Sequence, residues 1–359
     1  MTAVVLGLGR MGQCIASAMH RLGFKIVCAD VVPNEYKLKG LVSEYKFIQL
    51  KPDKSFKKVI KDAEPDIVIC SLPYHQLLPV AKFCITNNIR YCDLGGRVDV
   101  SEDINQFAKE KATMPVFTDL GLAPGWVNIV ADHLAIGGAD SIKMYVGGLP
   151  AMKTNPLNYM VTWSVDGLIN EYVDDCIVLQ NNRLQTVPGM SGHEIVQTCL
   201  GELEAFYTSG GASHTIESMK AKGVQNCSYK TFRYPGHIKM IDFLIRKCQL
   251  NDEALRNIFE KGCICDKGDK DIVLIRAEAH KGDTTKVYEK LVRSCDSFSA
   301  MQRATAYSIS TVGSIMAAGL LDERYDEKRG EKTRLSLALQ YRDVPYHDFE
   351  NILNSLLDD

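Results

Sequence analysis

AVVLGLGRMG, residues 3–12, sets an apolar run of strand length directly before three glycines spaced as GxGxxG. The glycine spacing alone is a weak signal, because such patterns arise by chance. Its context is stronger: a strand precedes it, and GQCIASAMHRLG (12–23) follows with Ile15, Met19 and Leu22 on one helical face. Gly7 permits the tight turn, Gly9 lets backbone amides approach a pyrophosphate, and Gly12 lets the helix pack on the strand. Leu8, Arg10 and Met11 complete the turn, and the helix N-terminus faces the phosphates with its partial positive charge. Asp30 ends the next strand, KIVCAD (25–30), where a carboxylate accepts both hydroxyls of the adenosine ribose. Val31 and Val32 follow, with no arginine to neutralise a 2′-phosphate, so NAD is expected ahead of NADP. FAD and S-adenosylmethionine use related turns, and a turn that merely joins strand to helix is the structural alternative.

Outward from this stretch, short apolar runs alternate with stretches of helical length as far as about residue 125. Strands are expected at 45–50, 66–73, 90–96 and 115–125, and helices at 55–63, 76–87 and 102–111. Strands rich in β-branched residues that alternate with helices predict a parallel sheet buried on both faces, an α/β Rossmann dinucleotide-binding domain. After residue 140 the texture changes to a second, mixed α/β (α+β) domain. SIKMYVGGL, YMVTWSVDGLINEYV and CIVLQNNRLQTV read as strands and turns, and a helix is expected over about 193–207. A strand then ends at KTFRYPGH, a helix is expected over 238–248, and two strands flank a KGD turn within 271–292. MQRATAYSISTVGSIMAAGLL (301–321) has one apolar face, and DERYDEKRGEKTR (322–334) alternates charge as a solvated loop does.

The 359 residues are long for one core and favour two domains. A formal charge of −2 gives no electrostatic reason for a nucleic-acid or anionic-membrane partner, so a small molecule is expected. The twelve cysteines are scattered; the closest pair, Cys263 and Cys265, is a CxC, and no spacing of zinc type occurs, so no metal is expected. Thiols among apolar neighbours, an N-terminal run too short for a signal peptide, and the lack of a window of roughly 20 apolar residues point to a cytoplasmic, soluble protein. A homodimer is expected as the commonest assembly.

Other segments sit where ligands bind in open α/β sheets. Ser71-Leu72-Pro73 and Asp93-Leu94-Gly95 end strands at the carboxyl edge, either as cofactor contacts or as plain turns. In Asp119-Leu120-Gly121-Leu122-Ala123-Pro124-Gly125, glycines and a proline present backbone amides suited to a cofactor or a carboxylate. Asn128 beyond them either meets substrate or caps a helix. Arg233-Tyr234-Pro235-Gly236-His237 is either a turn with polar side chains or part of the site.

With these segments in view, the chain resembles the saccharopine dehydrogenase-like oxidoreductases, and among them is most similar to the L-lysine 6-dehydrogenases. The match rests on GLGRMG (7–12), DLGLAPGWVN (119–128), WSVDGLINEY (163–172) with ELEAFYTSGG (202–211), and FRYPGH (232–237). It implies a Rossmann domain of 1–125 plus about 300–359, with a substrate domain of 126–299 inserted. It also implies hydride transfer between NAD(P) and a carbon that bears an amine, here lysine oxidised through an imine to its 6-semialdehyde.

An ammonium must lose its proton before hydride leaves, and a lysine-like amine has a pKa near 10.4, so a base is needed. His237 is the first candidate, its alternative being packing at a helix start. Arg233 is a candidate for the substrate carboxylate or an ordinary ion pair. Tyr234 sits beside it. Asp119 and Glu171 hold the ammonium, assist proton transfer, or are structural acids. Trp163 and Ser164 line the pocket or belong to the core. Two other readings stand: a reductase joining an amine to a carbonyl, of saccharopine or carboxyspermidine type, and an inactive NAD-binding sensor or scaffold.

Overall fold

The computed structural model describes residues 1–33, 38–51, 55–152, 157–263, 268–326, 331–334 and 337–358; Cys265 of the CxC pair lies outside them. The chain divides into two compact units, 1–126 with 302–359, and 127–301.

The first unit opens with β1 (Thr2–Leu6), α1 (Arg10–Arg21), β2 (Lys25–Asp30), β3 (Tyr45–Gln49), α2 (Phe56–Ala63) and β4 (Ile67–Cys70). It continues with α3 (Leu77–Thr86), β5 (Tyr91–Asp93), α4 (Val98–Lys111) and β6 (Val116–Phe117), and α5 (Trp126–Leu134) then begins the second unit. The six strands are parallel in the order β3-β2-β1-β4-β5-β6, the arrangement of dinucleotide-binding domains. Alternation along the strands buries two faces. Val4, Leu6, Val68 and Tyr91 pack with Val59 and Ile60 of α2, Leu77 and Val80 of α3, and Ile104 of α4.

The second unit contains β7 (Ser141–Pro150), α6 (Val165–Val173), β8 (Cys176–Gln180), β9 (Arg183–Val187), β10 (Glu194–Thr198) and β11 (Gly201–Tyr207). Then come α7 (Thr215–Ala221), β12 (Asn226–Arg233), α8 (His237–Asp242), α9 (Asp252–Gly262), β13 (Asp271–Lys281) and β14 (Thr284–Arg293). The chain ends with α10 (Ala300–Ala317), the β15 (Glu323–Asp326) and β16 (Glu331–Arg334) pair, and α11 (Tyr346–Leu357). Back in the first unit, α10 covers the other sheet face: a Cβ on its Gly313 would meet Ile69 at 3.2 Å and Ile67 at 3.4 Å.

The second sheet is mixed, in the order β10-β11-β12-β7-β13-β14, with the β8–β9 hairpin attached to β12. Its ends are tied together: Cys199 N donates to Glu289 at 2.9 Å, and Arg276 donates to the Gln197 carbonyl at 3.2 Å. These bonds join the β10–β11 turn to strands far from it in sheet order. The sheet therefore curls over an apolar cluster that contains Tyr145, Leu203, Phe232 and Leu274.

Three expectations are corrected. Residues 193–207 form the β10–β11 hairpin, not a helix, because Gly201 at φ +84° makes the turn and Leu203 and Ala205 alternate inward. Residues 165–173 form α6, not a strand: Ser164 accepts from Gly167 N at 3.2 Å as N-cap, and Leu168, Ile169 and Tyr172 fall on one buried face. The stretch expected as a loop over 322–334 contains the antiparallel pair β15–β16.

At Gly12 a Cβ would lie 1.8 Å from the Gly7 carbonyl oxygen, so α1 reaches β1 only through glycine. Gly12→Ala is expected to lower stability by about 3 kcal/mol, read as a fall in the urea midpoint; an unchanged midpoint would contradict this close approach.

Candidate functional site

In the first unit, β1 ends at Gly7, whose φ of +88° turns the chain and whose Cβ would meet the Ser71 carbonyl at 2.8 Å and Leu72 at 3.2 Å. The strand-end residues Ser71 and Leu72 thus pack on the glycine turn, and Pro73 beyond them is exposed. Gly9 is exposed, and a Cβ there would meet nothing within 4 Å. The first turn of α1 carries no acidic residue, and its N-cap makes no side-chain hydrogen bond. These are the conditions under which a helix start takes a pyrophosphate, so the residues fit a dinucleotide. Asp30 is fixed beside the turn: one carboxylate oxygen accepts from Leu8 N at 2.6 Å, the other from Val32 N at 2.9 Å. Val31 is 66% exposed and Val32 51%, an apolar shelf next to that acid. Arg10 is exposed and Met11 half-buried.

At the carboxyl ends of β5 and β6, two acids meet. Asp93 is fully buried; one oxygen accepts from Gly95 N at 2.8 Å and Asp119 N at 3.3 Å. Its other oxygen has no partner among the described residues. Burial and the neighbouring Asp119 push the Asp93 carboxyl up to about 7. Asp119 stands at φ +61°, unusual for a residue with a side chain. It is held there by Ser101 Oγ donating to its carboxylate at 2.8 Å and Tyr341 donating to its carbonyl at 3.0 Å. Leu94 and Leu120 flank the pair. The loop after Leu120 closes on itself: Ala123–Pro124 is cis, Trp126 N donates to the Gly121 carbonyl at 3.0 Å, and a Cβ on Gly125 would overlap it.

In the second unit, Arg233 ends β12 with only 3% exposure. Its Nε donates to the Tyr172 hydroxyl at 3.1 Å and Nη1 to the Phe232 carbonyl at 2.9 Å. The guanidinium lies over the Tyr159 ring at 4.6 Å, and Nη2 is 3.7 Å from Glu171. Trp163 donates to the Tyr159 hydroxyl at 3.3 Å. Burial raises the Glu171 carboxyl to about 7 against the opposing pull of Arg233.

His237 is wholly buried, with Nδ1 2.8 Å from the Leu157 carbonyl and Nε2 3.0 Å from the Tyr172 hydroxyl. Burial and Arg233 lower its pKa to about 3. Full burial with a pKa of about 3 leaves His237 neutral and weakly basic, with both ring nitrogens meeting protein groups. The Tyr234 hydroxyl donates to the Pro150 carbonyl at 2.9 Å. Asn128 lies inside α5, not at a cap; its amide donates to Thr215 at 2.8 Å and the Ala212 carbonyl at 3.0 Å.

The fold thus gathers Glu171, Arg233, His237 and Trp163 into one cluster, and gives Ser164, Tyr234 and Asn128 backbone-fixing contacts. Sequence reasoning missed Tyr172, which joins Arg233 to His237, and Glu204. The Glu204 carboxylate accepts from Gly236 N at 3.0 Å and Ile238 N at 2.6 Å, so it anchors the FRYPGH turn. Asp93 was noticed only as part of a turn.

A parallel sheet in this order, with a glycine turn into an uncapped helix where the strand order reverses, defines a dinucleotide-binding α/β protein, here with a second, mixed-sheet unit. Residues 3–115 match the saccharopine dehydrogenase NADP binding domain and residues 121–330 the saccharopine dehydrogenase C-terminal domain, so the chain belongs to the saccharopine dehydrogenase family. Among curated relatives, mitochondrial alpha-aminoadipic semialdehyde synthase of Bos taurus is 30% identical over 205 residues, 54% of this chain and 22% of the relative. The Mus musculus protein of that name is 26% identical over 201 residues, 53% and 22% respectively. The match spans less than a quarter of these relatives' length. Among solved structures, apo saccharopine dehydrogenase (L-Glu forming) from Saccharomyces cerevisiae superposes with a TM-score of 0.72 at 15% identity, over 100% of this chain and 97% of that one. Homospermidine synthase from Legionella pneumophila, in complex with NAD, gives 0.71 at 13% identity, over 99% and 89%. At these identities the likeness is one of fold. Among the described residues no helix is long and apolar enough to cross a membrane.

Two outcomes follow from the geometry. Asp93 binds its proton more tightly in the native state than in the unfolded chain, so its contribution is most favourable below about pH 4 and is lost as pH rises to about 7. Asp93→Asn should remove a decline on the order of 4 kcal/mol across that window, measured as the difference between the two proteins' urea stabilities from pH 4 to 8. Tyr172→Phe leaves Arg233 Nε and His237 Nε2 buried without their partner and should cost about 2–4 kcal/mol in the same assay.

Proposed function

We propose that this chain is a nicotinamide-dependent oxidoreductase acting on the carbon–nitrogen bond of an amino acid, of the lysine 6-dehydrogenase type. The observation that carries this reading is the uncapped start of α1 at the glycine turn, within a family whose members are named for saccharopine chemistry. When bound, the dinucleotide supplies the hydride acceptor. Asp30 beside the turn, with no basic residue at Val31 or Val32, supports NAD over NADP.

The chain's own residues supply binding and orientation. Arg233, a buried cation with a planar fork, suits a substrate carboxylate. Glu204 holds the turn that carries it. The names of the relatives, a semialdehyde synthase and a saccharopine dehydrogenase, support an amino-acid semialdehyde as the product.

The test is a screen with NAD against L-lysine, L-ornithine, saccharopine and polyamines, following reduced nicotinamide by absorbance. Lysine should give the signal, with the semialdehyde and ammonia as products. Reduction of a carbonyl–amine mixture, with no forward oxidation, would favour the condensing reductase instead. No turnover in either direction would sink the proposal.

A further inference from the structure

Resting on that reading, we infer that Arg233 and Glu171 form a two-sided clamp for the α-carboxylate and α-ammonium of one amino-acid head group, in which Arg233 separates α-amino acids from polyamines and Glu171 separates them from acids that lack an α-ammonium.

Hydrogen-bond direction supports this first. The Leu157 carbonyl only accepts, so His237 Nδ1 carries the proton and donates to it. Nε2 is then an acceptor, and the Tyr172 hydroxyl donates to it. The Tyr172 oxygen in turn accepts from Arg233 Nε. The chain Arg233 to Tyr172 to His237 to Leu157 runs one way, which fixes Arg233 in place and leaves Nη2 without a hydrogen bond among the described residues.

Nη2 faces Glu171 at 3.7 Å, beyond hydrogen-bond length. Among the described residues no other acceptor reaches Nη2, and no hydrogen-bond donor reaches the Glu171 carboxylate. A donor and an acceptor, oppositely charged and each lacking a hydrogen bond, thus stand side by side. The Glu171 side chain is 19% exposed against 4% for Arg233, so the pair opens to solvent on the Glu171 side.

A zwitterionic head group matches both charges and brings no net charge into the cluster. A polyamine would set an ammonium beside the Arg233 guanidinium with no carboxylate of its own, leaving Glu171 alone to offset two positive charges. Among the described residues, the titratable groups that interact with Glu171 are Arg233, Tyr159, Tyr172, Tyr229 and Cys176, with Asp174 and Asp175 beyond the thiol. Burial pushes the phenols and the thiol upward, so of the groups in direct interaction with Glu171 among the described residues Arg233 is the charged one at neutral pH. Because the Glu171 carboxyl is held at about 7, an arriving ammonium should expel a proton from it.

The experiment is calorimetry on the full chain with reduced nicotinamide dinucleotide present, at pH 7 in two buffers of different ionisation enthalpy. The ligands are L-lysine, L-ornithine, saccharopine, 6-aminohexanoate, which lacks the α-ammonium, and cadaverine, which lacks the α-carboxylate. An α-amino acid should bind with net proton release, and the two truncated ligands roughly tenfold or more weaker. Glu171→Gln should abolish the proton release and bring lysine down to the level of 6-aminohexanoate. Equal binding of lysine and 6-aminohexanoate by the parent protein, tight binding of cadaverine, or no binding of any α-amino acid would overturn the clamp. Binding of α-amino acids with proton release but no oxidation would keep the clamp and reject the dehydrogenase reading; oxidation of polyamines alone would reject the clamp and keep an amine oxidoreductase.

Discussion

A guanidinium removed from water is costly unless its surroundings answer its charge, and the second unit is organised around meeting that demand for Arg233. The Tyr172 hydroxyl and the Phe232 carbonyl take two of its edges, and Tyr159 places a ring face over it. Glu171 supplies the opposite charge at a distance too long to neutralise it fully. That buried cation engages Tyr172 and adds to the burial that already lowers the basicity of His237. Replacing the arginine by lysine would lose the fork that reaches both Tyr172 and Phe232 at once.

In the first unit the governing constraint is steric. Gly7 and Gly12 let strand, turn and helix approach more closely than any side chain allows, which aims the start of α1 along the sheet's carboxyl edge. Asp30 reinforces the geometry from the neighbouring strand by accepting from the turn's own backbone at Leu8. The glycines shape the turn, and the acid keeps it there.

These two constraints were unequally legible in the sequence. The glycine turn and the alternation of strands and helices are local or nearly so, and a reading of residues 3–125 recovers them. The second unit was harder. Residues 194–207 lose a plain alternation because Glu204 and Phe206 are buried on one face while Leu203 and Ala205 are buried on the other, so the segment passed for a helix. FRYPGH could be singled out by composition, but its partners could not. Tyr172 lies 61 residues from Arg233 and Glu204 lies 32 residues from Gly236, and no local pattern announces such contacts. His237 shows the same limit from the other side. A histidine after a rigid turn reads as a base, and only burial and its two neighbours reveal a neutral ring.

The loop between β5 and α4 carries a consequence for how this protein tolerates change. A Cβ on Gly95 would sit 1.9 Å from the Asp119 carboxylate oxygen, and Gly95 itself has φ +72°. Asp119 in turn holds an uncommon backbone angle with help from Ser101 and Tyr341. The two positions are therefore one epistatic unit. A side chain at 95 is obstructed by Asp119, and a smaller residue at 119 relieves the clash while leaving Ser101 without its acceptor. Substitutions at these two positions will not add, and a side chain at 95 requires a change at 119 first.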